Sequence, residues 1–289
     1  MKPRDPALLK ITIFLITSFA VAYAIDFSLI LLTDSGLFAS AYQLTLMVRM
    51  FAPLLGVIIS LLITDESVIK GLRNYGLRIG KEFLKWFFAA LTIPLVILVL
   101  GALYALLLGL PVKNPAEALI EQMYLQGGIN PMILLTFIIL FSLVAGATIN
   151  AILAFGEEIG WRGLLLDELS RKMSRTEAIL MIGVIWAAWH FPLIVLFGYN
   201  YPENRLLGLL LYMVICIIWS WILAILRTKS LSIIHPSVMH GTINSLGGLM
   251  LITVPVDRVI GIPVGLLSIM ASATILAILF LAVKPLKDV

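Results

Sequence analysis

Charged side chains are scarce in this chain. Asp, Glu, Lys and Arg together make up only 12% of its 289 residues, whereas 61% are hydrophobic. Soluble domains usually carry about 25% charged and about 45–50% apolar residues. The shortage of charge excludes an ordinary soluble domain and a disordered chain. Because the apolar residues form blocks about as long as a helix that crosses a bilayer, the sequence predicts an all-α, polytopic membrane protein.

Cysteine is nearly absent as well. Cys216 is the only one, and it lies inside an apolar block. A single cysteine excludes an intrachain disulfide and a CxxC metal or redox pair. We interpret Cys216 as a small buried hydrophobic side chain.

Eight apolar windows predict eight transmembrane helices. The windows cover about 8–32, 42–63, 83–110, 132–156, 176–198, 206–226, 231–254 and 260–282. Since no loop is long enough to hold a soluble domain, residues 1–289 are predicted to form one transmembrane domain. The residues that carry the motifs described below occupy about 132–254 of it.

Basic residues gather in alternate connections between these windows. Sixteen of the twenty lie on one side: Lys2, Arg4, Lys10, Lys70, Arg73, Arg78, Lys81, Lys85, Arg162, Arg171, Lys172, Arg175, Arg227, Lys229, Lys284 and Lys287. The positive-inside rule places that side, with both chain ends, in the cytoplasm. Basic residues in short loops of this kind indicate contact with the lipid bilayer, and we expect no nucleic acid partner.

Several ionisable residues lie at membrane depth, where each costs at least about 2.5–3.5 kcal/mol to insert. Asp26 and Arg49 lie in the first and second windows, and we expect them to pair with each other or to snorkel toward the membrane surface. All three histidines, His190, His235 and His240, also fall in apolar blocks. This placement predicts a buried polar site.

The segment AFGEEIGWRGLLLDELSRK is predicted to extend the fourth helix. Glu158 and Arg162 are four residues apart, so they face the same side and can pair. Glu157 is rotated by about 100° and is free to face a cavity. Because a straight helix from residue 132 to residue 171 would be about 60 Å long, it must tilt, protrude or bend near Gly156 or Gly160.

Three further polar side chains are predicted to lie at the same membrane depth as Glu157. His190 follows Trp186 by one turn, and His240 and Asn244 have the i, i+4 spacing that puts an imidazole and an amide on one helix face. His235 points about 140° away from His240, so we expect it to pack or to support the site from outside.

A carboxylate, two imidazoles and an amide suit the hydrolysis of a peptide bond. Glu157 is the candidate base that deprotonates water, His190 would position the water, and His240 and Asn244 would donate to the oxyanion. The same acid and histidines are alternatively a His₂Glu zinc set, in which Glu157, His190 and His240 hold the metal. The sequence has no HExxH helix, so it leaves both schemes open.

Three motifs resemble those of a known family. EEIGWR at 157–162, WAAWH at 186–190 and HGTIN at 240–244 are similar to the EExxxR, FxxxH and HxxxN patterns of the CPBP family, the CAAX-protease and bacteriocin-processing type of intramembrane endopeptidase that includes the Rce1-like CAAX proteases. The resemblance implies that Glu157 activates water, that His190, His240 and Asn244 complete the site, and that Glu158 and Arg162 support it. Trp186 stands where the family has phenylalanine. Family members are described both as metalloproteases and as metal-free, glutamate-dependent proteases.

We therefore predict an intramembrane endopeptidase. Its substrate would be a membrane-embedded or lipid-anchored protein or peptide, such as a prenylated CAAX-type protein, and its location a prokaryotic plasma membrane with the active site opening toward the cytoplasm. Two alternatives remain at this point: a non-catalytic membrane scaffold or immunity protein of the same fold, and an ion-coupled transporter. The transporter is the weaker alternative, because the sequence shows no inverted repeat of the kind that many transporters have.

Overall fold

The computed structural model describes residues 5–34, 36–122 and 130–282. Every regular element within those ranges is a helix, which confirms the all-α class. Four basic residues of the predicted topology, Lys2, Arg4, Lys284 and Lys287, lie outside the described residues.

Fourteen α-helices are present in the described part of the chain, with one 3₁₀ and one π-helical segment. The α-helices are α1 Pro6–Ser28, α2 Phe38–Arg49, α3 Ala52–Ile63, α4 Val68–Asn74, α5 Phe83–Leu107, α6 Pro115–Gln122, α7 Pro131–Ala147, α8 Ile149–Glu158, α9 Leu166–Leu169, α10 Arg175–Trp189, α11 Phe191–Phe197, α12 Arg205–Ser230, α13 Ile234–Thr253 and α14 Leu266–Ala282. The 3₁₀ segment Leu29–Leu32 follows α1, and the π-helical segment Ile159–Leu165 joins α8 to α9.

Five helical stretches are long and apolar enough to cross a bilayer: Pro6–Leu32, Phe38–Ile63, Phe83–Leu107, Arg175–Phe197 and Arg205–Ser230. The bent pair of α7 with Ile149–Leu169 makes a sixth. These stretches confirm a polytopic membrane protein, whereas the predicted number of eight spans is not confirmed. The remaining two windows correspond to α13, which carries the polar residues of the HGTIN motif, and to α14, which has only 17 residues.

The distribution of side chains is typical of a protein whose solvent is lipid. Asp26, Arg49 and Glu158 are buried, whereas large apolar side chains such as Leu31 and Phe137 are exposed. In water such an apolar surface would be an aggregation or binding site. In a bilayer it is the surface that contacts hydrocarbon, because helices satisfy their backbone hydrogen bonds internally.

Glycines set the closest helix contacts. A Cβ on Gly241 of α13 would lie 2.5 Å from the backbone nitrogen of Ala151 and 2.6 Å from the carbonyl oxygen of Gly146, so α13 packs backbone to backbone against α7 and α8. Gly183 of α10 lies equally close to Ile217 of α12. Small residues allow this approach in membrane helices, where packing replaces the hydrophobic effect as the source of association.

The fourth span bends, but not at the glycines that the sequence suggested. The bend is 41° and lies at Thr148, whose backbone angles of φ −119° and ψ −93° interrupt the helix between α7 and α8. Gly156 and Gly160 instead let the helix pack against neighbours, since a Cβ would lie 2.5 Å from the Met50 carbonyl oxygen or 2.7 Å from the Phe14 ring. The expectation of a bend near Gly156 or Gly160 is therefore wrong in position.

A buried network ties the first span to the end of the fourth at the face that carries the basic loops. Glu168 is fully buried, accepts a 2.8 Å hydrogen bond from the Tyr75 hydroxyl and pairs with Lys10 and Arg171. Lys10 also pairs with Glu66. Burial, and then the negative charge of Glu168, raise the pKa of Tyr75, so its hydroxyl stays protonated and continues to donate.

The close approach of α13 can be tested with two glycines of the same helix. Gly241→Ala places a methyl group against backbone atoms, so we expect the free energy of unfolding to fall by about 1–3 kcal/mol. Gly248→Ala is the matched control, because nothing lies within 4 Å of its Cβ position. Denaturant or thermal unfolding of both purified variants measures the difference. Equal stabilities would contradict the packing described above.

Candidate active site

A cavity of about 560 Å³ lies among the helices that carry the three motifs. This volume is within the range of small-molecule and peptide-binding pockets. All four residues predicted to be catalytic, Glu157, His190, His240 and Asn244, line it. We call it the central cavity and define it by its polar wall: Gln43, Arg49, Asn150, Glu157, His190, Tyr199, Asn200, Tyr212, His240 and Asn244.

Glu157 is the penultimate residue of α8 and is only 2% exposed. Its Oε2 accepts hydrogen bonds from the indole nitrogens of Trp186 at 2.7 Å and Trp161 at 3.4 Å. Oε1 has no hydrogen-bond partner among residues 5–34, 36–122 and 130–282. The carboxylate is therefore held by one oxygen and presents the other to the central cavity.

The π-helical segment after Glu158 helps to place these donors. Ile159–Leu165 is fully buried and contains Trp161, whose indole reaches back to Glu157, and Arg162, whose guanidinium reaches back to Glu158. Segments of π-helix are rare and occur frequently at functional sites. The sequence predicted only a continuous helix here.

Trp186 does more than fill an aromatic position. Its indole N–H makes the short hydrogen bond to Glu157, which phenylalanine, the residue typical of the family at this position, has no group to make. Its ring also lies 5.4 Å from the His240 ring and 4.2 Å from the Arg162 guanidinium carbon. Trp186 therefore contacts residues from all three motifs.

His190 lies at the break between α10 and α11. Its backbone N–H bonds to Ala187 and Ala188, which leaves the Trp186 carbonyl to accept a 2.9 Å hydrogen bond from the His190 ring at Nδ1. A carbonyl oxygen only accepts, so Nδ1 carries the proton, and Nε2 of the neutral ring is an acceptor. The ring is packed between aromatic residues, parallel to Tyr199 and edge-on to Tyr212.

His240 depends on Glu158, a contact that the sequence did not predict. His240 Nδ1 lies 2.9 Å from Glu158 Oε1, the same oxygen that accepts a 3.0 Å bond from Arg162 Nη1. The predicted pairing of Glu158 with Arg162 is thus present, and Glu158 also orients the imidazole. A carboxylate at Nδ1 fixes the tautomer and the orientation of the ring, which leaves Nε2 for the cavity.

Asn244 lines the central cavity and His235 does not, as their positions on α13 predict. Asn244 lies one turn after His240, is exposed and lines the central cavity. His235 is fully buried outside it, where Nε2 lies 3.2 Å from the Phe83 carbonyl oxygen and the ring packs against the Phe83 ring. His235 is a packing residue.

The predicted pair of Asp26 and Arg49 is also present. Arg49 Nε and Nη2 lie 2.9 and 3.0 Å from the two carboxylate oxygens of Asp26. Arg49 lines the central cavity, which the sequence did not predict.

The residues proposed for zinc do not form a metal site as they are placed. In the described ranges, no three His, Cys, Asp or Glu side chains lie close enough together to hold a metal ion. Glu157, His190 and His240 share the cavity wall, but Glu157 and His240 are engaged with the Trp186 indole and with Glu158.

The central cavity and the basic loops lie toward opposite ends of the helices. Tyr199 and Asn200 follow α11, and Pro263 and Val264 precede α14, so the connections that line the cavity are those with few basic residues. No residue of 64–82, 170–174 or 231–233 lines it. The connections that line the cavity therefore lie on the side of the chain that carries few basic residues.

The fold and site define a class of protein: a helical membrane protein with an acid, two imidazoles and an amide around one internal cavity. Residues 134–246, which contain all three motifs, match the family described as type II CAAX prenyl endopeptidase, Rce1-like. CAAX prenyl protease 2 of Methanococcus maripaludis is 30% identical over 188 residues. That alignment covers 63% of this chain and 62% of the relative. Both comparisons agree with the resemblance to the CPBP family inferred from the motifs, and the family model that matches is the Rce1-like one.

The two adjacent acids are expected to differ in their effect on stability. Glu158→Gln leaves Arg162, which is 1% exposed, without its counter-charge, so the free energy of unfolding should fall by about 3–5 kcal/mol. Glu157→Gln should have little effect, because the amide oxygen still accepts the indole hydrogen bonds. Thermal unfolding in detergent compares the two. A Glu158→Gln protein of normal stability that lacks activity would show that the two acids have been assigned the wrong roles.

Proposed function

We propose that this chain is an intramembrane endopeptidase that hydrolyses a peptide bond of a membrane-associated protein. The observation that carries the proposal is that Glu157 and two histidines, His190 and His240, line one cavity within the membrane-spanning helices. The comparisons support protease chemistry, and because the relative is a CAAX prenyl protease, a prenylated C-terminal peptide is the first substrate to test.

Water activation is assigned to Glu157. Its Oε1 takes a proton from a water molecule in the cavity while Oε2 stays bonded to the Trp186 indole. His190 Nε2 accepts the second hydrogen of that water and aims it, because Nδ1 is committed to the Trp186 carbonyl. The water oxygen then forms a bond to the carbonyl carbon of the scissile peptide.

Stabilisation of the tetrahedral intermediate is assigned to α13. Protonated His240 donates from Nε2 to the oxyanion, since Glu158 holds Nδ1 and balances the charge, and the Asn244 amide donates a second hydrogen bond. Collapse of the intermediate breaks the C–N bond. Glu157 returns its proton to the departing amine, which restores the carboxylate.

The zinc scheme remains a second proposal for how the water is activated. It uses the same acid and histidines, but it requires their side chains to converge further than the described geometry brings them. We derive no step through a metal.

Substitution of Glu157 tests the proposal. Glu157→Gln is nearly isosteric and keeps the indole acceptor but cannot take a proton, so cleavage of a prenylated peptide should fall by at least about a thousandfold while the protein stays folded. Mass spectrometry of the products of purified wild-type and variant protein in lipid nanodiscs gives both the rate and the bond that is cut.

Two controls complete this experiment. Wild-type protein is assayed after dialysis against a zinc chelator and analysed for bound metal. Full activity without metal supports the glutamate scheme, and loss of activity that zinc restores supports the zinc scheme. Turnover by Glu157→Gln at the wild-type rate would contradict the assignment of the base. A wild-type protein that cleaves no membrane peptide would favour the non-catalytic scaffold.

A further inference from the structure

Arg49 is a buried cation in the wall of the central cavity that the proposed mechanism does not use. It is the last residue of α2 and is 2% exposed. It lies in the second span, and Asp26 lies in the first. A charge at this depth is costly, and in membrane proteins such residues are typical of functional sites.

Among the described residues, the guanidinium makes its hydrogen bonds through Nη2 alone, and Nη1 is the nitrogen that is not enclosed. Nε and Nη2 face the Asp26 carboxylate, and Nη2 also donates to the Trp189 carbonyl at 2.9 Å. Nη1 has no hydrogen-bond partner within 5–34, 36–122 and 130–282, and it is not fully enclosed by protein atoms. Its two N–H groups are therefore open to the cavity.

Arg49 is held rigidly beside the catalytic groups. Its guanidinium carbon lies 3.7 Å from the centre of the Trp189 ring, and the same ring packs edge-on against His190 at 4.9 Å. Asp26 holds the guanidinium at Nε and Nη2, and the Trp189 ring packs against the face of the guanidinium. A guanidinium that is fixed in this way binds a carboxylate with less loss of side-chain entropy than a free one.

We propose that Arg49 binds the terminal carboxylate of the substrate peptide in the central cavity. This inference rests on the proposed endopeptidase function and deepens it, because it names the feature of the substrate that the site selects. A guanidinium N–H to a carboxylate oxygen is among the strongest hydrogen bonds in proteins, and stronger than one to a neutral carboxamide.

The charges of the cavity wall give the bound peptide a direction. Glu157 repels a carboxylate, whereas the open Nη1 of Arg49 donates hydrogen bonds to one, so the chain end lies at Arg49 and the scissile bond at Glu157. A free chain end is thereby distinguished from an internal peptide segment, which carries no charge of its own at this point.

The test compares two peptides that differ only at the chain end. One prenylated peptide ends in a free carboxylate and its partner ends in a carboxamide. Their binding to full-length Glu157→Gln protein in nanodiscs is measured by fluorescence anisotropy, so that turnover does not interfere. We expect the acid to bind about tenfold to a hundredfold more tightly than the amide. In a protein that also carries Arg49→Gln and Asp26→Asn, the preference should fall to within about twofold, because this pair keeps a hydrogen bond without leaving a buried charge.

A second arginine outside the cavity serves as the matched control. Arg258→Gln removes one positive charge from an exposed position in the connection before α14, and it should leave the preference intact. Equal binding of acid and amide, or binding of neither, overturns the inference without any change to Arg49. Retention of the preference in the Arg49→Gln, Asp26→Asn protein overturns it as well.

The outcomes also separate this inference from the proposed function. Wild-type protein that cleaves acid and amide peptides with the same KM is a peptidase without a carboxylate site. Protein that binds the acid selectively but cleaves neither peptide has the site and lacks the activity.

Discussion

The hydrogen bond from the Trp186 indole to Glu157 is the interaction on which the rest of the site depends. It joins α10 to the end of α8 and fixes one carboxylate oxygen at 2.7 Å. The backbone of the same residue holds His190, and its ring contacts His240 and Arg162. One side chain thus sets the position of the Glu157 carboxylate relative to both imidazoles, and it leaves the other carboxylate oxygen without a hydrogen-bond partner in the described residues.

Burial of so many polar groups is tolerable because nearly all the charges are paired. Glu158 is shared by Arg162 and His240, Asp26 pairs with Arg49, and Glu168 pairs with Lys10 and Arg171. Among the described residues, Glu157 is therefore the one buried carboxylate without a basic partner. Glu157 is stabilised instead by neutral donors, which hold it without cancelling its charge. The difference between the two adjacent acids therefore comes from their partners, and the glycine contacts of α13 bring those partners together.

The sequence predicts the parts of this site that depend on local spacing. The i, i+4 pair of Glu158 and Arg162 and the shared face of His240 and Asn244 follow from helix geometry, and two isolated opposite charges at depth predict the pair of Asp26 and Arg49. The bend at Thr148 has no such signal, because a threonine in an apolar run rarely interrupts a helix.

The unpredicted contacts are those that join distant segments. Neither the His240–Glu158 bond nor the approach of Arg49 to the cavity follows from spacing, since each requires the relative rotation of separate helices. The position of the cavity relative to the basic loops also depends on how separate helices pack. Charge counts assign an orientation to the loops, but only packing shows toward which end the cavity extends.

Kinetics of two tryptophan variants test the central claim most directly. Trp186→Phe removes the 2.7 Å donor while keeping an aromatic ring, whereas Trp161→Phe removes only the 3.4 Å donor. If the Trp186 indole positions the catalytic carboxylate, kcat should fall by about tenfold to a hundredfold in Trp186→Phe with KM little changed, and much less in Trp161→Phe. Unchanged kcat in a folded Trp186→Phe protein, or an equal loss in both variants, would contradict the account.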